Sequence, residues 1–466
     1  MPSPTLLLHH ARIHTLDPEQ PRATAVAIAG QRIIAVGSDE AIGALASPGI
    51  QRIDCGGLTL VPGLHDAHIH LLAYARSLSG VDCSPRNAGS IAELQAILRH
   101  AAAQMPRGVW LRAAGYDETA LMERRHPTRW ELDTAVSDRP VRLYQRSRHA
   151  SVVNSEALRQ AGITAATESP PGGLIERDVI TGEPNGVLFE TAQDLVRRVV
   201  PNPTQGELSA AVAAASLQLL KWGVTALQDA TASNAPTDWS LFERLQRSGA
   251  LQQRVTLMMG ISGFDDVVGA DRQGNRATGM LRRGAMKLVL NESGGELYPP
   301  QHELDRTVLA VHRSGGQVAL HVVTPTALEA AIAALTRAQT EFPRGDARHR
   351  IEHCSVCNPE QAARIAKLGV HVCAQPGFVH ESGDRYLAEV PVDQLPWLYP
   401  LATLLASSVP LSAGSDAPVA EPNPLLGLHA AMTRRSASGR PVTARQGLTP
   451  MQALSLYTTG AAAACF

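Results

Sequence analysis

From Gly223 to the end of the chain, short apolar runs that read as strands alternate with stretches that read as helices. The strand candidates are 224–228, 254–259, 286–290, 317–321, 350–353, 370–375 and 410–414, and an eighth lies far upstream at 60–70. This alternation restricts the chain to parallel-sheet α/β architectures, because each strand must be returned to the start of the next through a covering helix. Eight strands in this order predict a (β/α)8 barrel of the TIM type. A doubly wound sheet is the alternative, but it calls for a glycine-rich phosphate turn after its first strand, and none is present. The helix boundaries carry their own signals. Asn358 can cap a helix with Pro359 at its first position and Gly369 beyond its end, and Thr324-Pro325 starts another in the same way. Thr204 with Glu207, and Thr449 with Gln452, form capping boxes.

Residues 1–58 contain only short apolar runs separated by turn residues, with Gly30-Gln31-Arg32 as a hairpin tip. They are expected to form the strands of a small β-sandwich part, and 59–466 the barrel. About 150 residues separate the first barrel strand from the second, where a βαβ unit needs only a few dozen. A capping box at Ser90 and Glu93 opens a helix there. Strands at 109–114 and 140–144 then mark an inserted subdomain of about 110–200. An insertion after a barrel strand sits on the catalytic face, so it is expected to cover the site.

Several function classes recede on composition. The net charge is −1 and no basic cluster is present, which argues against a nucleic-acid partner. The most apolar helical stretch, 208–224, is broken by Ser, Gln and Lys, so no membrane span is expected. Six scattered cysteines form no disulfide framework and fit a reducing cytoplasm. Cys354-Ser-Val-Cys357 has no second Cys pair to complete a zinc site and reads as loop ahead of the Asn358 helix.

The chemistry gathers at strand ends. In Pro62-Gly-Leu-His-Asp-Ala-His-Ile-His70, residues two apart share a face, so Asp66, His68 and His70 point the same way. Two imidazoles so placed suit zinc or a similar borderline ion. By itself His-x-His recurs by accident. His321, His353 and Asp416, however, also stand where apolar runs stop, giving four candidate strands that end in potential ligands. Asp66 is expected to orient one of these ligands.

These stretches, together with Gly223-Val-Thr-Ala-Leu-Gln-Asp229, Met286-Lys287, Arg350-Ile-Glu-His353 and Gly414-Ser-Asp-Ala-Pro418, resemble the amidohydrolase superfamily, and within it the YtcJ-like amidohydrolases of amidohydrolase family 3. The resemblance spans nearly the whole chain and is specific for the superfamily, not for a substrate. It implies that His68, His70, His321, His353 and Asp416 bind metal. It also implies that Lys287, carboxylated in many members, bridges two ions, and that Asp416 is the catalytic base. The implied activity is hydrolysis of an amide or other non-peptide C–N bond by a metal-activated water, with one or two divalent ions, zinc first. A deaminase, an ester hydrolase and a non-catalytic barrel relative are the alternatives. His149, Asn154, Arg385 and Tyr386 are candidate substrate contacts. The expected partner is a small-molecule substrate, without nucleic acid or membrane, and a homodimer is compatible with the sequence. The resemblance further implies strands after the last barrel helix that complete the sandwich. The sequence reaches Phe466 within that helix, so these strands are expected to be missing and sheet edges open.

Overall fold

The computed structural model describes residues 3–465 except 48, 79, 202, 273–276 and 294–295. Its central sheet holds eight parallel strands: Leu64–Ile69, Val224–Asp229, Arg254–Gly260, Leu281–Val289, Val318–Val322, Arg350–His353, His371–Ala374 and Leu411–Ala413. They pair in chain order, each with the next, from the first to the eighth. Helices intervene and supply the outer wall of one large core, in which Leu219, Phe242, Val308, Leu328 and Ile365 are fully buried. This is the (β/α)8 barrel that the alternation predicts.

The helix starts fall where the capping residues put them. Thr204, Thr324, Asn358 and Thr449 each accept a backbone N–H of the first turn, and Ser90 does the same for Ile91–Ala103. Gly223 ends the stretch after Gln205–Lys221 at φ +78°, and its carbonyl accepts the N–H of Leu64, which starts the first strand beside the second. The fourth strand begins five residues earlier than its apolar run. Its first part, Leu281-Arg-Arg-Gly-Ala285, carries two arginines and gives no apolar signal, yet it pairs with the third strand from Leu281↔Val255 onward. Gly284 permits that pairing, since a Cβ there would stand 2.8 Å from Thr256 Cγ2.

Closure between the eighth and first strands is made by single contacts instead of a ladder. The N–H of Asp416 donates to the His68 carbonyl at 2.7 Å. Ser415 donates both its N–H and its hydroxyl to the Asp66 carboxylate at 3.0 and 2.6 Å. Gly414 makes the approach possible, because a Cβ would lie 2.4 Å from His68 N. At the opposite end the last helix, Thr459–Ala463, plugs the barrel: Gln228 donates to the Ala461 carbonyl and Gln317 to that of Ala464.

Before the barrel, a four-stranded sheet in the order Arg32–Gly37, Ala25–Ala29, Leu6–His9, Gln51–Asp54 lies with a three-stranded one of Arg22–Ala23, Arg12–His14 and Thr59–Leu60. The hairpin tip is at Gly30, φ +57°. Its edge strand Gln51–Asp54 is exposed along its length.

Between the first two barrel strands runs a six-stranded sheet in the order Gly173–Arg177, Pro184–Glu190, Ala150–Val153, Val141–Gln145, Leu111–Tyr116, Val81–Asp82. One face is apolar, where Leu111, Leu143, Val152 and Val187 pack with Leu94, Leu98 and Leu132 of the covering helices. Two ion pairs join this region to the loops and helices beyond the barrel strands, Arg146–Glu381 at 3.6 Å and Arg86–Glu421 at 3.5 Å.

Among the described residues no helix is long and apolar enough to cross a membrane.

Candidate metal centre

Each candidate ligand stands at or just past the end of a barrel strand, or in the strand's last turn of pleat. His68 and His70 end the first strand, Lys287 lies near the end of the fourth, His321 of the fifth, His353 closes the sixth, and Asp416 follows the eighth. The barrel brings them together. The Asp416 Oδ1 lies 3.0 Å from His70 Nε2 and 3.5 Å from His68 Nε2. The His353 Nε2 faces His321 Nδ1 at 2.9 Å, and the His68 and His353 rings are 4.9 Å apart. Ligand atoms of His68, His353 and Asp416 all fall within 4.8 Å of one another.

Neighbouring groups decide which nitrogen of each imidazole faces this centre. The His68 Nδ1 is taken by Glu352 Oε2 at 2.5 Å, which leaves Nε2. The His70 Nδ1 is taken by Thr231 Oγ1 at 3.0 Å, and that of His353 by Gln375 Oε1 at 2.7 Å. Glu352 in turn receives Arg350 Nε and Nη2 at 2.7 and 3.1 Å, and Arg350 also donates to Gln228 and to the Ala67 carbonyl. A second buried triple, His68, Glu352 and Cys373, lies beneath the first. Its carboxylate is already committed to Arg350 by both oxygens, so the first triple is the better cation cradle.

The electrostatics fit a cation. Burial opposes ionisation of Asp416, but the surrounding imidazoles of His68, His70 and His353 hold its pKa well below the usual carboxylate range. Burial pushes His68 down to about 3, and Lys287 adds to the effect. Burial likewise lowers His353 and takes His321 far below its ordinary value. Lys287 is 3% exposed, and burial lowers its pKa against the pull of Glu352 and Asp416. Its Nζ has no hydrogen-bond partner among the described residues, and Asp416 Oδ1 has none of good alignment. Buried polar atoms without partners cost about 1–3 kcal/mol each. Two of them aimed into a nest of neutral imidazoles is what a metal's own ligands look like before the ion is counted. Two of the candidate ligands are also held in the left-handed region, His353 at φ +72° and Asp416 at φ +59°, a strain that clusters at functional sites.

Other expected site residues fare differently. Asp66 does not orient an imidazole. Its carboxylate accepts the backbone N–H of His68 and the two Ser415 bonds, so it fixes the barrel seam, and burial raises its pKa to about 6. Asn154 is no substrate contact either. It is fully buried, its amide donates to the carbonyls of Val136 and Arg139, and its oxygen accepts Val141 and Ala157 N–H as a helix cap. All of its bonding capacity is used inside the insertion. His149 is half exposed, pairs with Glu190 at 2.7 Å and is close enough to Asp416 to feel its charge. The bond to Glu190 raises its pKa. Arg385 and Tyr386 sit on the helix Gly377–Glu389, not in a loop. Tyr386 packs against Tyr399, Tyr399 against Phe378, and Phe378 stacks parallel to the His353 ring. Cys354 and Cys357 are both buried with thiols free, and the hydrogen bond of the Cys354 thiol with Cys357, together with burial, raises the Cys354 pKa.

Sequence reasoning missed Glu352, Thr231 and Gln375. Glu352 had a signal: Arg350-x-Glu352 places opposite charges two apart, on one face, in an otherwise apolar strand. Thr231 and Gln375 are ordinary polar residues after strands and had none.

The profile of the amidohydrolase family matches residues 51–466. The N-substituted formamide deformylase of Arthrobacter pascens is 28% identical, over 97% of this chain and 88% of its own length. The putative amidohydrolase YtcJ of Bacillus subtilis (strain 168) is also 28% identical, over 97% and 89%. Among solved structures, an uncharacterized metal-dependent hydrolase from Pyrococcus horikoshii OT3 superposes with a TM-score of 0.78 at 24% identity, covering 98% of this chain and 92% of that one.

Proposed function

The chain belongs to the amidohydrolase family, and from that premise we propose that it is a metal-dependent hydrolase that cleaves the C–N bond of a small amide at the centre formed by His68, His70, His321, His353 and Asp416. The observation that carries the proposal is convergence: ligands from strands far apart in sequence meet with their free nitrogens and one carboxylate oxygen facing inward. A bound divalent ion supplies Lewis acidity, lowering the pKa of water from ~15.7 towards ~7 and polarising a carbonyl.

The chain's own residues do the rest. Asp416, held ionised at the mouth, takes the proton of the attacking water and returns it to the leaving nitrogen. Glu352 holds His68 in the tautomer that turns Nε2 inward, and Thr231 and Gln375 do so for His70 and His353. Lys287, whose pKa burial lowers, suits reaction with carbon dioxide to give an anionic carbamate, which would add an oxygen to the set that holds metal. Zinc is the ion we assign first, since imidazole-rich sets favour it. The Arthrobacter relative is an N-substituted formamide deformylase, which makes N-acyl amines the first compounds to assay. We read 1–58 as a small β-sandwich part, 59–466 as the catalytic barrel and about 110–200 as its inserted subdomain. His149, Arg385 and Tyr386 are candidate substrate contacts. A cytoplasmic location is supported by six free thiols.

Elemental analysis after gel filtration tests the centre. One or two equivalents of metal in the wild type, with none and no turnover in His68→Ala, is the expected result. Turnover preserved in His68→Ala would remove the centre from the chemistry.

A further inference from the structure

On the face of the inserted sheet opposite the Leu111 and Leu143 core, arginines gather around Tyr144, while the carboxylates that share the face are engaged elsewhere, Asp82 with the N–H of Ser84 and Glu190 with His149. Arg112 and Arg142 are paired neighbours on adjacent strands, and Tyr144 lies two residues beyond Arg142 on the same face. The Arg142 guanidinium sits 4.4 Å over the Tyr144 ring and that of Arg148 5.1 Å from it, so one aromatic ring is shared by two cations. Arg76, from the helix Leu71–Leu78 after the first barrel strand, is the third cation near this ring.

Their hydrogen-bonding capacity is largely unused. Arg142 is 3% exposed, its Nε has no partner among the described residues, and Nη2 makes only long bonds of 3.3 and 3.4 Å to Gln193. The side chains of Arg148 and Arg76 make no hydrogen bond or ion pair among the described residues, and that of Arg148 touches the Tyr144 ring. Across the hairpin from Tyr144, Ser151 is fully buried with its hydroxyl unpartnered. The nearby carboxylates are committed elsewhere, Asp194 to Arg197 and Asp238 to the N–H of Ala235. Burial and mutual repulsion lower the pKa of both Arg142 and Arg148. Arg142 is out of water without a counter-charge, which is unfavourable by several kcal/mol, while Arg148 is half-buried and Arg76 exposed beside it. Their planar forks match a carboxylate in two-point geometry.

The cluster also lies by the metal centre. Arg148 immediately precedes His149, which pairs with Glu190 and lies within reach of the Asp416 charge. Arg146, on the same hairpin, is paired to Glu381 on the helix after the seventh barrel strand. The hairpin 141–153 therefore bridges the arginine face and the mouth of the barrel.

We propose that Arg142, Arg148 and Arg76, arranged on Tyr144, form an anion subsite that holds a carboxylate of the substrate, so that the amide presented to the metal centre is an N-acylated amino acid or a similar anionic amide. The inference rests on the hydrolase reading only for what the carboxylate is attached to.

The test has two readouts on the full-length, metal-loaded chain. Calorimetry with succinate, succinamide and inorganic phosphate measures binding without turnover. Saturable succinate binding, absent for succinamide and weakened about tenfold or more in Arg148→Gln, is expected from loss of one charge-assisted pair. Kinetics with N-formyl ω-amino acids and their primary amides should give a kcat/KM preference for the acids that collapses in Arg148→Gln. Arg142→Gln is the companion variant, with Arg148→Gln retained as the more exposed site if the buried substitution fails to fold. Succinate binding unchanged in Arg148→Gln, or lost only in His68→Ala, would place the anion on the metal and overturn the subsite, as would binding of phosphate alone. Arginine-dependent succinate binding in a chain that hydrolyses no N-acyl compound would keep the subsite and remove the hydrolase reading.

Discussion

Single side chains divide the work at the centre, and the division can be measured. Asp416 has an oxygen near two imidazoles and is held ionised by them, and the proposed function gives it two duties, ligand and base. Asp416→Asn keeps size and one ligating oxygen but cannot take a proton. It is expected to retain most of the metal while kcat falls by roughly 10²–10⁴-fold, the usual share of a general base; steady-state kinetics with metal analysis on one preparation decides, and wild-type kcat would exclude the role. Glu352 acts one step back. Glu352→Gln leaves an acceptor for His68 but removes the charge that balances Arg350, which is 1% exposed. Metal affinity, read by chelator competition, should drop by about 10–100-fold, and stability should fall by roughly 3–5 kcal/mol as Arg350 loses its counter-charge. Unaltered affinity would reduce Glu352 to a packing residue. The convergence of the candidate ligands was legible because a histidine or aspartate where an apolar run stops has few structural uses. Glu352 was not, because a carboxylate inside a strand shows its purpose only when the neighbouring strand delivers His68.

At the scale of elements, the caps and apolar runs define the barrel closely, since they rest on local rules of backbone bonding and burial. They fail where long-range pairing overrides local pattern. The start of the fourth strand, with Arg282 and Arg283, becomes strand because the third strand offers it a ladder. Asn154 resembles a functional residue in sequence, and only the fold shows its amide filled from four directions. The polar face around Tyr144 escaped sequence reading because its members come from a barrel helix and separate parts of the insertion. The eighth strand offers an element-level test. Gly414→Ala puts a methyl 2.4 Å from His68 N, in backbone that cannot give easily. It should cost about 1–3 kcal/mol or more of stability and weaken metal retention with it. Gly43→Ala, where nothing lies within 4 Å, is the control and should do neither. Equal behaviour of the two variants would show that the seam tolerates looseness.

For the molecule as a whole, buried histidines set an acid limit. Burial takes His65, His349 and His371 each to about 3 in the fold, with Arg350 lowering His65 and His371 further and His312 lowering His349. None is among the candidate ligands. His349 accepts the N–H of Val318 and shares a 2.7 Å hydrogen bond with His312, which bonds on to the Phe342 carbonyl; this chain is complete with both rings neutral. The folded pKa values lie below the unfolded value of about 6.5, so the unfolded chain binds more protons. The stabilisation is fully present above pH ~6.5 and is lost as pH falls towards ~3, at about 1.4 kcal/mol per pH unit for each histidine. Denaturant midpoints measured from pH 8 down to 5 should fall steadily below ~6.5. A flat profile would mean that these rings find protonated partners in the fold.

The closure between the eighth and first strands is also where the ligands lie. Asp416 and His68 join the two strands through the backbone and face one another through their side chains. An ion held there fastens the hoop at its clasp. Its binding free energy then enters the folding equilibrium directly, growing with the logarithm of free ion over the dissociation constant. On the proposed reading, catalytic competence and mechanical integrity of the ring would draw on the same few atoms, so the supply of metal in the surroundings would govern how long the protein survives as well as how fast it works.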